Sequence, residues 1–123
     1  MSDRKQVGDK GENLVRDYLV SLGYTILAQK WRCLYGEVDL IVTKSEWLVF
    51  VEVKTRSVRN WDSNGLLAIS AAKQQKLVLT AQTYLAQHPA LAQSLRFDVA
   101  LVQHDRYHYR LVDYLVHAFT VET

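Results

Sequence analysis

The clearest pattern in the chain is a pair of apolar, β-branched runs on either side of a short polar turn. The first run lies in residues 38–42 and the second in 47–53, and the turn between them is Lys44-Ser45-Glu46. Two such runs joined by a short polar turn are typical of a β-hairpin. The second run is almost wholly apolar, which predicts a strand that is buried on both faces.

Two other stretches carry apolar residues at the spacing of an α-helix. The first helix is predicted from about Lys10 to Leu22, with Gly23 as the glycine that ends it. The second is predicted to begin after Ser70 as N-cap and to run to about His88. The apolar stripes are Leu14, Val15, Tyr18, Leu19 and Leu22 in the first helix and Leu77, Ala81, Tyr84 and Leu85 in the second.

Three further runs are predicted as strands, and they complete a single α/β domain over residues 1–123. Tyr24–Trp31 precedes the hairpin, and Arg96–Val102 and Tyr107–Tyr114 follow the second helix. The element order α-β-β-β-α-β-β predicts a mixed sheet of about five strands with flanking helices. The residues from Ser57 to about Leu67 are predicted to form a loop.

Charged residues interrupt the apolar hairpin. Glu52 and Lys54 are two positions apart in the second run, so their side chains point to the same face of the sheet. Asp39 in the first run reaches the same corner if the turn pairs the two strands. Charges in a buried strand are costly unless they are paired or bound to a metal. Mg²⁺ would account for them, because it prefers carboxylate oxygens and completes its shell with water and substrate phosphates.

An aspartate followed one strand later by Glu-x-Lys is the active-site signature of the PD-(D/E)xK nuclease superfamily. Here these residues are Asp39 and Glu52-Val53-Lys54. The whole block Gly36–Arg56 resembles the YraN-like family of predicted bacterial nucleases, which have a restriction-endonuclease-like fold and are similar to archaeal Holliday-junction resolvases. The alternative interpretation is a surface ion pair between Glu52 and Lys54, with Asp39 only ending a strand.

The resemblance implies a metal-dependent endonuclease that hydrolyses phosphodiester bonds in DNA, including branched or junction DNA. In this interpretation Asp39 and Glu52 bind Mg²⁺ or Mn²⁺, with the Val53 carbonyl as an extra ligand. Lys54 would position or activate water, or stabilise the transition state. The alternative function is a non-catalytic nucleic-acid-binding or protein-interaction module that retains the nuclease fold.

Two further acids are candidates for the same site. The family opens its first helix with G-x-x-G-E, which Gly8–Glu12 matches here, and related resolvases place an acidic residue of this helix in the metal cluster. Asp9 and Glu12 equally fit a capping box at the start of the helix, so both interpretations stay open. Glu37 shares the strand parity of Asp39, and it is either a supporting carboxylate or an exposed strand end.

Positive charge is concentrated just after the proposed site, although the net charge of the chain is only +2. Residues 54–76 contain five basic side chains and one acid. This distribution suits a phosphate backbone that docks beside the chemistry. A solvated loop and helix face would show the same pattern. The candidates for phosphate contact are Arg56, Arg59, Lys73 and Lys76.

Two of the chain's departures from the family pattern place a lysine where the family has another residue. Lys30 and Arg32 stand where the family commonly has Asn-x-Arg, so the role of that asparagine is altered or is taken over by Lys30. Lys73 and Lys76 stand where the family has Lys-x-x-Arg. Lysine attracts a phosphate but lacks the bidentate fork of arginine, so the contact would be less directional.

Composition sets expectations about location and partners. No apolar run approaches the ~20 residues that cross a bilayer, and the first six residues lack the apolar segment of a signal peptide. Cys33 is the single cysteine, which fits a reducing compartment. We therefore expect a cytoplasmic protein without a membrane partner, acting on nucleic acid and most of all on DNA. A branched substrate would suit a homodimer with paired sites.

Overall fold

The computed structural model describes residues 3–60, 69–91 and 94–119. Over these ranges the element order is the predicted α-β-β-β-α-β-β, with one short 3-10 helix after the third strand. The elements are α1 (Asp3–Ser21), β1 (Thr25–Cys33), β2 (Gly36–Lys44), β3 (Trp47–Ser57), the 3-10 helix Val58–Asn60, α2 (Ala71–Gln87), β4 (Ser94–His104) and β5 (Tyr109–Phe119).

The five strands form one mixed sheet in the order β1-β2-β3-β4-β5. Neighbouring strands are antiparallel except for β3 and β4, which are parallel and have α2 between them in the chain. Parallel neighbours need such a crossover. Because β3 is the central strand and a helix covers each face, its sequence is almost continuously apolar.

Each face of the sheet carries one helix. Leu19 of α1 shares a buried cluster with Val49 of β3 on one face. Tyr84 of α2 shares a second cluster with Leu48 and Phe50 on the other face. Successive residues of β3 therefore face different helices, as the pleat of a strand requires. Among the described residues, no helix has the length and apolar character needed to cross a membrane.

The end of α1 is formed by Gly23, as predicted. Gly23 has φ = +93°, and its N–H donates to the carbonyl of Val20, while the N–H of Tyr24 donates to the carbonyl of Leu19. These two bonds are those of a Schellman motif. Glycine takes up the left-handed conformation in this motif at no steric cost, so the chain can turn into β1.

The start of α1 differs from the prediction. The helix begins at Asp3, so Asp9 and Glu12 lie inside it and the predicted capping box is wrong. Gly11 weakens the intrinsic helix propensity of this segment, but it also lets α1 approach the sheet closely. A Cβ at Gly11 would overlap the hydroxyl oxygen of Thr55 in β3. Gly11 therefore lets the backbone of α1 lie close to β3.

The start of α2 is confirmed, whereas β4 and β5 reach further than predicted. The hydroxyl of Ser70 accepts a hydrogen bond from the N–H of Lys73 at 3.1 Å, as an N-cap does. β4 pairs with β3 along its whole length, from Ser94 to His104, which satisfies the backbone of polar residues that the apolar pattern did not include. Of the predicted loop, Ser57 ends β3, and residues 61–68 lie outside the described part of the chain.

Candidate active site

The backbone ladder between β2 and β3 ends before the strands do. The paired residues run from Lys44 opposite Trp47 to Leu40 opposite Val51. At the next position the side chain of Asp39 acts as the acceptor, because its Oδ2 receives the N–H of Val53 at 2.7 Å. The carboxyl group is thereby fixed where the ladder between the two strands stops.

Glu52 and Lys54 lie on the α2 face of the sheet, as strand alternation predicted. They follow Leu48 and Phe50 at two-residue steps, and both are buried, with 9% and 8% of their surface exposed. Lys73 of α2 reaches this strand, and its Nζ lies 3.0 Å from Oε1 of Glu52. Oε2 of Glu52 is buried and has no hydrogen-bond partner among the described residues. Glu52 therefore retains one oxygen that could accept a ligand.

Lys54 is a buried ammonium group, and no carboxylate of the described residues forms an ion pair with it. Burial lowers the pKa of Lys54, and the positive charges of Lys73 and Arg56 lower it further, against the opposing effect of Glu52. A positive group in this situation would be stabilised by an anion that docks beside it.

Asp39 is electrostatically coupled to three other acids. Burial, followed by the charge of Glu52, raises the pKa of Asp39 to about 8; Glu12 and Glu37 add to this effect, and the N–H of Val53 opposes it. Burial beside Glu52 therefore favours the protonated form of Asp39 in the metal-free protein. A bound cation would remove this cost, because it favours the charged form of both carboxyl groups.

The stability of the metal-free protein is expected to fall as the pH rises from about 4 to about 8. The pKa of Asp39 is raised above its unfolded value of 3.8, so between about pH 4 and pH 8 the folded state binds a proton that the unfolded state has released. The free energy of unfolding therefore decreases as the pH rises through this range. Each pKa unit is worth about 1.4 kcal/mol. We expect a loss of about 1–3 kcal/mol, because the half-buried carboxyl keeps some contact with solvent.

Urea denaturation in EDTA across this pH range would measure the effect. Asp39→Asn keeps an oxygen that can accept the Val53 N–H but does not titrate, so its stability should lose this part of the pH dependence. A slope as steep in Asp39→Asn as in the wild type would show that another group causes it.

Glu12 turns inward from α1, and a lysine of β1 binds it. Nζ of Lys30 lies 2.8 Å from Oε2 of Glu12 and 2.8 Å from Oδ1 of Asp9. Oε1 of Glu12 is buried without a hydrogen-bond partner in the described part of the chain. Burial raises the pKa of Glu12 more than Lys30 lowers it. Glu12 also raises the pKa of Asp39, so the two carboxyl groups are neighbours, and a catalytic role for Glu12 stays a prediction.

Glu37 lies at the start of β2, where it forms an ion pair with Arg32. Its side chain is partly exposed, and its charge contributes to the raised pKa values of both Asp39 and Glu12. This placement suits a supporting carboxylate at the margin of the site. Its part in catalysis stays a prediction.

The four predicted phosphate-binding residues occupy different elements. Lys73 is bound to Glu52, and Lys76 is exposed one turn further along α2. Arg56 is exposed near the end of β3, and Arg59 is exposed in the 3-10 helix. Since Lys73 and Arg56 both lower the pKa of Lys54, these cations lie around one point. Contact with phosphate stays a prediction for all four.

A groove of about 630 Å³ lies beside α1, on the face of the sheet opposite Glu52 and Lys54. Its walls include Glu12, Val53 and Thr55, together with the cationic side chains Arg4 and Arg56. Of the candidate acids, Glu12 lines this groove, whereas Glu52 faces α2 on the opposite side of the sheet.

The residues fit a cation held by two carboxylates rather than a closed metal centre. Among residues 3–60, 69–91 and 94–119, no group of three or more His, Cys, Asp or Glu side chains is arranged to hold a metal. Asp39 and Glu52 nevertheless each keep one oxygen, Oδ1 and Oε2, that no hydrogen bond within the described residues uses. Mg²⁺ is commonly bound through one or two carboxylates, with waters and substrate phosphates completing its shell. Mn²⁺ accepts the same oxygen ligands.

Comparison with known proteins gives a family but no activity. Residues 11–102 match the family described as "Uncharacterised protein family UPF0102". The chain belongs to this family. A UPF0102 protein of Synechococcus sp. (strain JA-3-3Ab) is 49% identical over 122 residues, which are 95% of this chain and 92% of the relative. UPF0102 protein tll1737 of Thermosynechococcus vestitus is 48% identical, covering 97% of this chain and 98% of the relative. The predicted YraN-like family is thereby confirmed.

The sequence of this UPF0102 protein did not indicate which groups Lys30 and Lys73 bind. Lys30 has φ = +53° at the position between two paired residues of β1, Gln29 and Trp31. Asparagine takes this conformation more readily than lysine does, which gives a physical reason for the Asn of the family pattern. Lys73 was predicted to contact phosphate, which stays a prediction, and the structure adds an ion pair of Lys73 with Glu52 that the sequence did not indicate. The departure from Asn-x-Arg was the one signal that pointed to Lys30.

Proposed function

We propose that this UPF0102 protein is a metal-dependent endonuclease that hydrolyses phosphodiester bonds in DNA. The observation that carries the proposal is the neighbouring carboxyl pair Asp39 and Glu52, each with one unused oxygen, beside the buried cation Lys54. Such an arrangement costs stability in the free protein. The fold of α-β-β-β-α-β-β with a mixed five-stranded sheet is compatible with the restriction-endonuclease-like architecture that the sequence motif implied.

Asp39 and Glu52 would hold Mg²⁺ or Mn²⁺ through Oδ1 and Oε2, and the carbonyl of Val53 is a candidate third ligand. When bound, such a cation offsets charge on the phosphate and favours deprotonation of water. The protein contributes the placement of the carboxylates. The N–H of Val53 holds Asp39, and the central position of β3 holds Glu52, so both oxygens are oriented before a ligand arrives.

Lys54 would act on the phosphodiester itself. Its ammonium group would donate hydrogen bonds to phosphate oxygens as negative charge develops on them, or would position the attacking water. Both roles require a cation in a partly water-excluded place, which Lys54 occupies with 8% of its surface exposed. The arriving phosphate would supply the negative partner that the described residues do not.

Other charged groups would assist these three residues. Glu12, with one buried free oxygen, and Glu37 would support Asp39 from the α1 side and from the start of β2. A branched or junction substrate would suit a homodimer that places two sites opposite each other. The cations proposed to attract the phosphate backbone are Arg56, Arg59, Lys73 and Lys76.

A non-catalytic nucleic-acid-binding or protein-interaction module is the second candidate. It is supported by two ion pairs that already compensate acids of the site, Lys73 with Glu52 and Lys30 with Glu12. Structural ion-pair networks also perturb pKa values, so a perturbed carboxyl group alone does not separate the two functions.

A cleavage assay on labelled duplex, single-stranded, flap and four-way-junction DNA separates them. We expect at least one substrate to be cut with Mg²⁺ or Mn²⁺ and none to be cut in EDTA. Asp39→Asn should reduce the rate by at least about 100-fold, because it removes a charge that holds the cation. Asp17→Asn on the exposed face of α1 is the matched control and should cut at the wild-type rate.

The other outcomes are informative. Absence of both cleavage and Mn²⁺ binding would favour the binding module. Mn²⁺ binding without cleavage of any DNA would direct the same assay to RNA substrates. Equal cutting by Asp39→Asn would indicate that the activity does not belong to this site.

A further inference from the structure

Lys73 pairs with one carboxylate oxygen of Glu52, while the other oxygen, Oε2, is the proposed metal ligand. Its Nζ lies 3.0 Å from Oε1, while its side chain is 45% exposed and that of Glu52 is 11% exposed. The backbone of Lys73 is fixed, since its N–H bonds to the N-cap hydroxyl of Ser70. The ammonium group, on a flexible four-carbon chain that leads to solvent, is the part that can move.

The positive charge of Lys73 stabilises Glu52 when no metal is bound to Asp39 and Glu52, but it would repel a bound metal ion. Lys73 is the cation that forms an ion pair with Glu52 within the described residues, and it already lowers the pKa of Lys54 nearby. A divalent cation beside Glu52 would add a third positive group at this point. Positive charges that lie this close together at a protein surface repel each other. Binding of the metal and retention of the Lys73 contact therefore oppose each other.

We propose that Lys73 is a placeholder cation, which neutralises Glu52 in the free protein, leaves it when a divalent metal binds, and then contacts a phosphate of the nucleic acid. This inference rests on the proposed function and deepens it. Its consequence is positive coupling between the two ligands. Metal binding releases Lys73 toward the polyanion, and the polyanion draws Lys73 away from Glu52 and so favours the metal.

Lys73 differs from the other lysines near the site because it pairs with Glu52 and its side chain is partly exposed. Lys54 is buried on β3, and none of the described carboxylates pairs with it. Lys76 lies one helical turn beyond Lys73 and is exposed, and no ion pair joins it to a carboxylate in the described ranges. Lys76→Gln therefore removes the same charge from the same helix without breaking the Glu52 contact, and it is a matched control for metal binding.

The first test is a calorimetric titration of the whole protein with Mn²⁺ alone. Lys73→Gln is expected to bind Mn²⁺ about five- to tenfold more tightly than the wild type, because no ion pair has to be broken. Lys73→Arg, which keeps a cation at this place, should stay close to the wild type. Lys76→Gln should change the affinity for Mn²⁺ by less than about twofold.

The second test measures coupling with Ca²⁺ as the metal and a short DNA duplex as the polyanion, by fluorescence anisotropy. The wild type should bind the duplex several-fold more tightly with Ca²⁺ than without it, and Lys73→Gln should lose most of this difference. Mn²⁺ binding with unchanged affinity in Lys73→Gln, or an equal gain in Lys76→Gln, would overturn the placeholder role and leave the proposed function standing. Absence of Mn²⁺ binding by the wild type would overturn both.

Discussion

Replacing Lys54 by methionine is expected to lower the rate of DNA cleavage by at least about 100-fold while the protein keeps its fold. Removing one group that stabilises transition-state charge costs a factor of about 100–1000 in other enzymes. Methionine has a similar length and fills the space of the buried side chain. Because burial lowers the pKa of Lys54, its charge costs stability in the free protein. Lys54→Met should therefore be at least as stable as the wild type.

Three measurements on Lys54→Met separate a catalytic from a structural role. Single-turnover cleavage should fall, the urea midpoint should stay or rise, and the affinity for Mn²⁺ should stay or increase, since a positive neighbour of Glu52 is gone. Lys10→Met is the control for cleavage and Mn²⁺ binding, which should both stay unchanged, since the ammonium group of Lys10 lies over the ring of Tyr109 at an exposed position of α1. A wild-type rate in Lys54→Met would end the proposed role of this lysine.

The sequence predicted those features that depend on neighbouring positions. The apolar runs around Lys44–Glu46 predicted the hairpin, Ser70 predicted the cap of α2, and Gly23 predicted the end of α1. The two-residue spacing of Glu52 and Lys54 predicted their common face. Each of these features is determined by a few neighbouring residues in one element or one turn, so the local sequence pattern is enough to predict it.

Features that depend on contacts between distant segments were not predictable. α1 begins at Asp3, seven residues before the predicted start, and its Gly11 packs on Thr55, which is 44 positions away in the chain. The pairing of Lys73 with Glu52 depends on how α2 lies across the sheet. The predicted capping box failed for the same reason, since Glu12 was assigned a partner in its own helix and finds one in β1 instead. Burial and long-range charge override local propensity at these points.

The position of Asp39 was predictable only in part. The hairpin predicted that Asp39 lies near Glu52, but a simple extension of the hairpin register would place the two residues opposite each other in the ladder. The ladder instead ends at Leu40 and Val51, and the side chain of Asp39 takes the N–H of Val53. No periodicity indicates where a ladder stops. This local break in the sheet is what directs a carboxylate into the candidate site rather than toward solvent.

Replacing Asp98 by alanine is expected to cost about 3–5 kcal/mol of stability, since it leaves a buried arginine without its partner. Asp98 is 1% exposed and Arg96 is 6% exposed. The carboxylate accepts hydrogen bonds from Nε and Nη2 of Arg96, from the hydroxyl of Tyr114 at 2.7 Å and from the N–H of His117 at 3.1 Å. The guanidinium also lies over the rings of Tyr24 and Trp47. The ion pair between Arg96 and Asp98 is thus the centre of a buried network.

This network is separate from the site because it lies on the other face of the sheet. Arg96 and Asp98 share the parity of Ala100 and Val102, which pack in the α1-side cluster, whereas Glu52 faces α2. A change at Asp98 should therefore alter the free energy of unfolding without altering the affinity of the folded protein for Mn²⁺. A parallel loss of both would show that the network also positions the site.

Urea denaturation of a short series of variants would test the energetic argument. Tyr114→Phe removes one hydroxyl donor and should cost about 1–2 kcal/mol, so it remains measurable if Asp98→Ala does not fold. Asp98→Ala combined with Arg96→Met should be more stable than Asp98→Ala alone, because it removes the uncompensated charge as well. Breaking the exposed pair Arg16–Asp17 by Asp17→Ala should cost less than about 0.5 kcal/mol. If the double variant were as unstable as the single one, lost packing rather than the unpaired charge would be the cause.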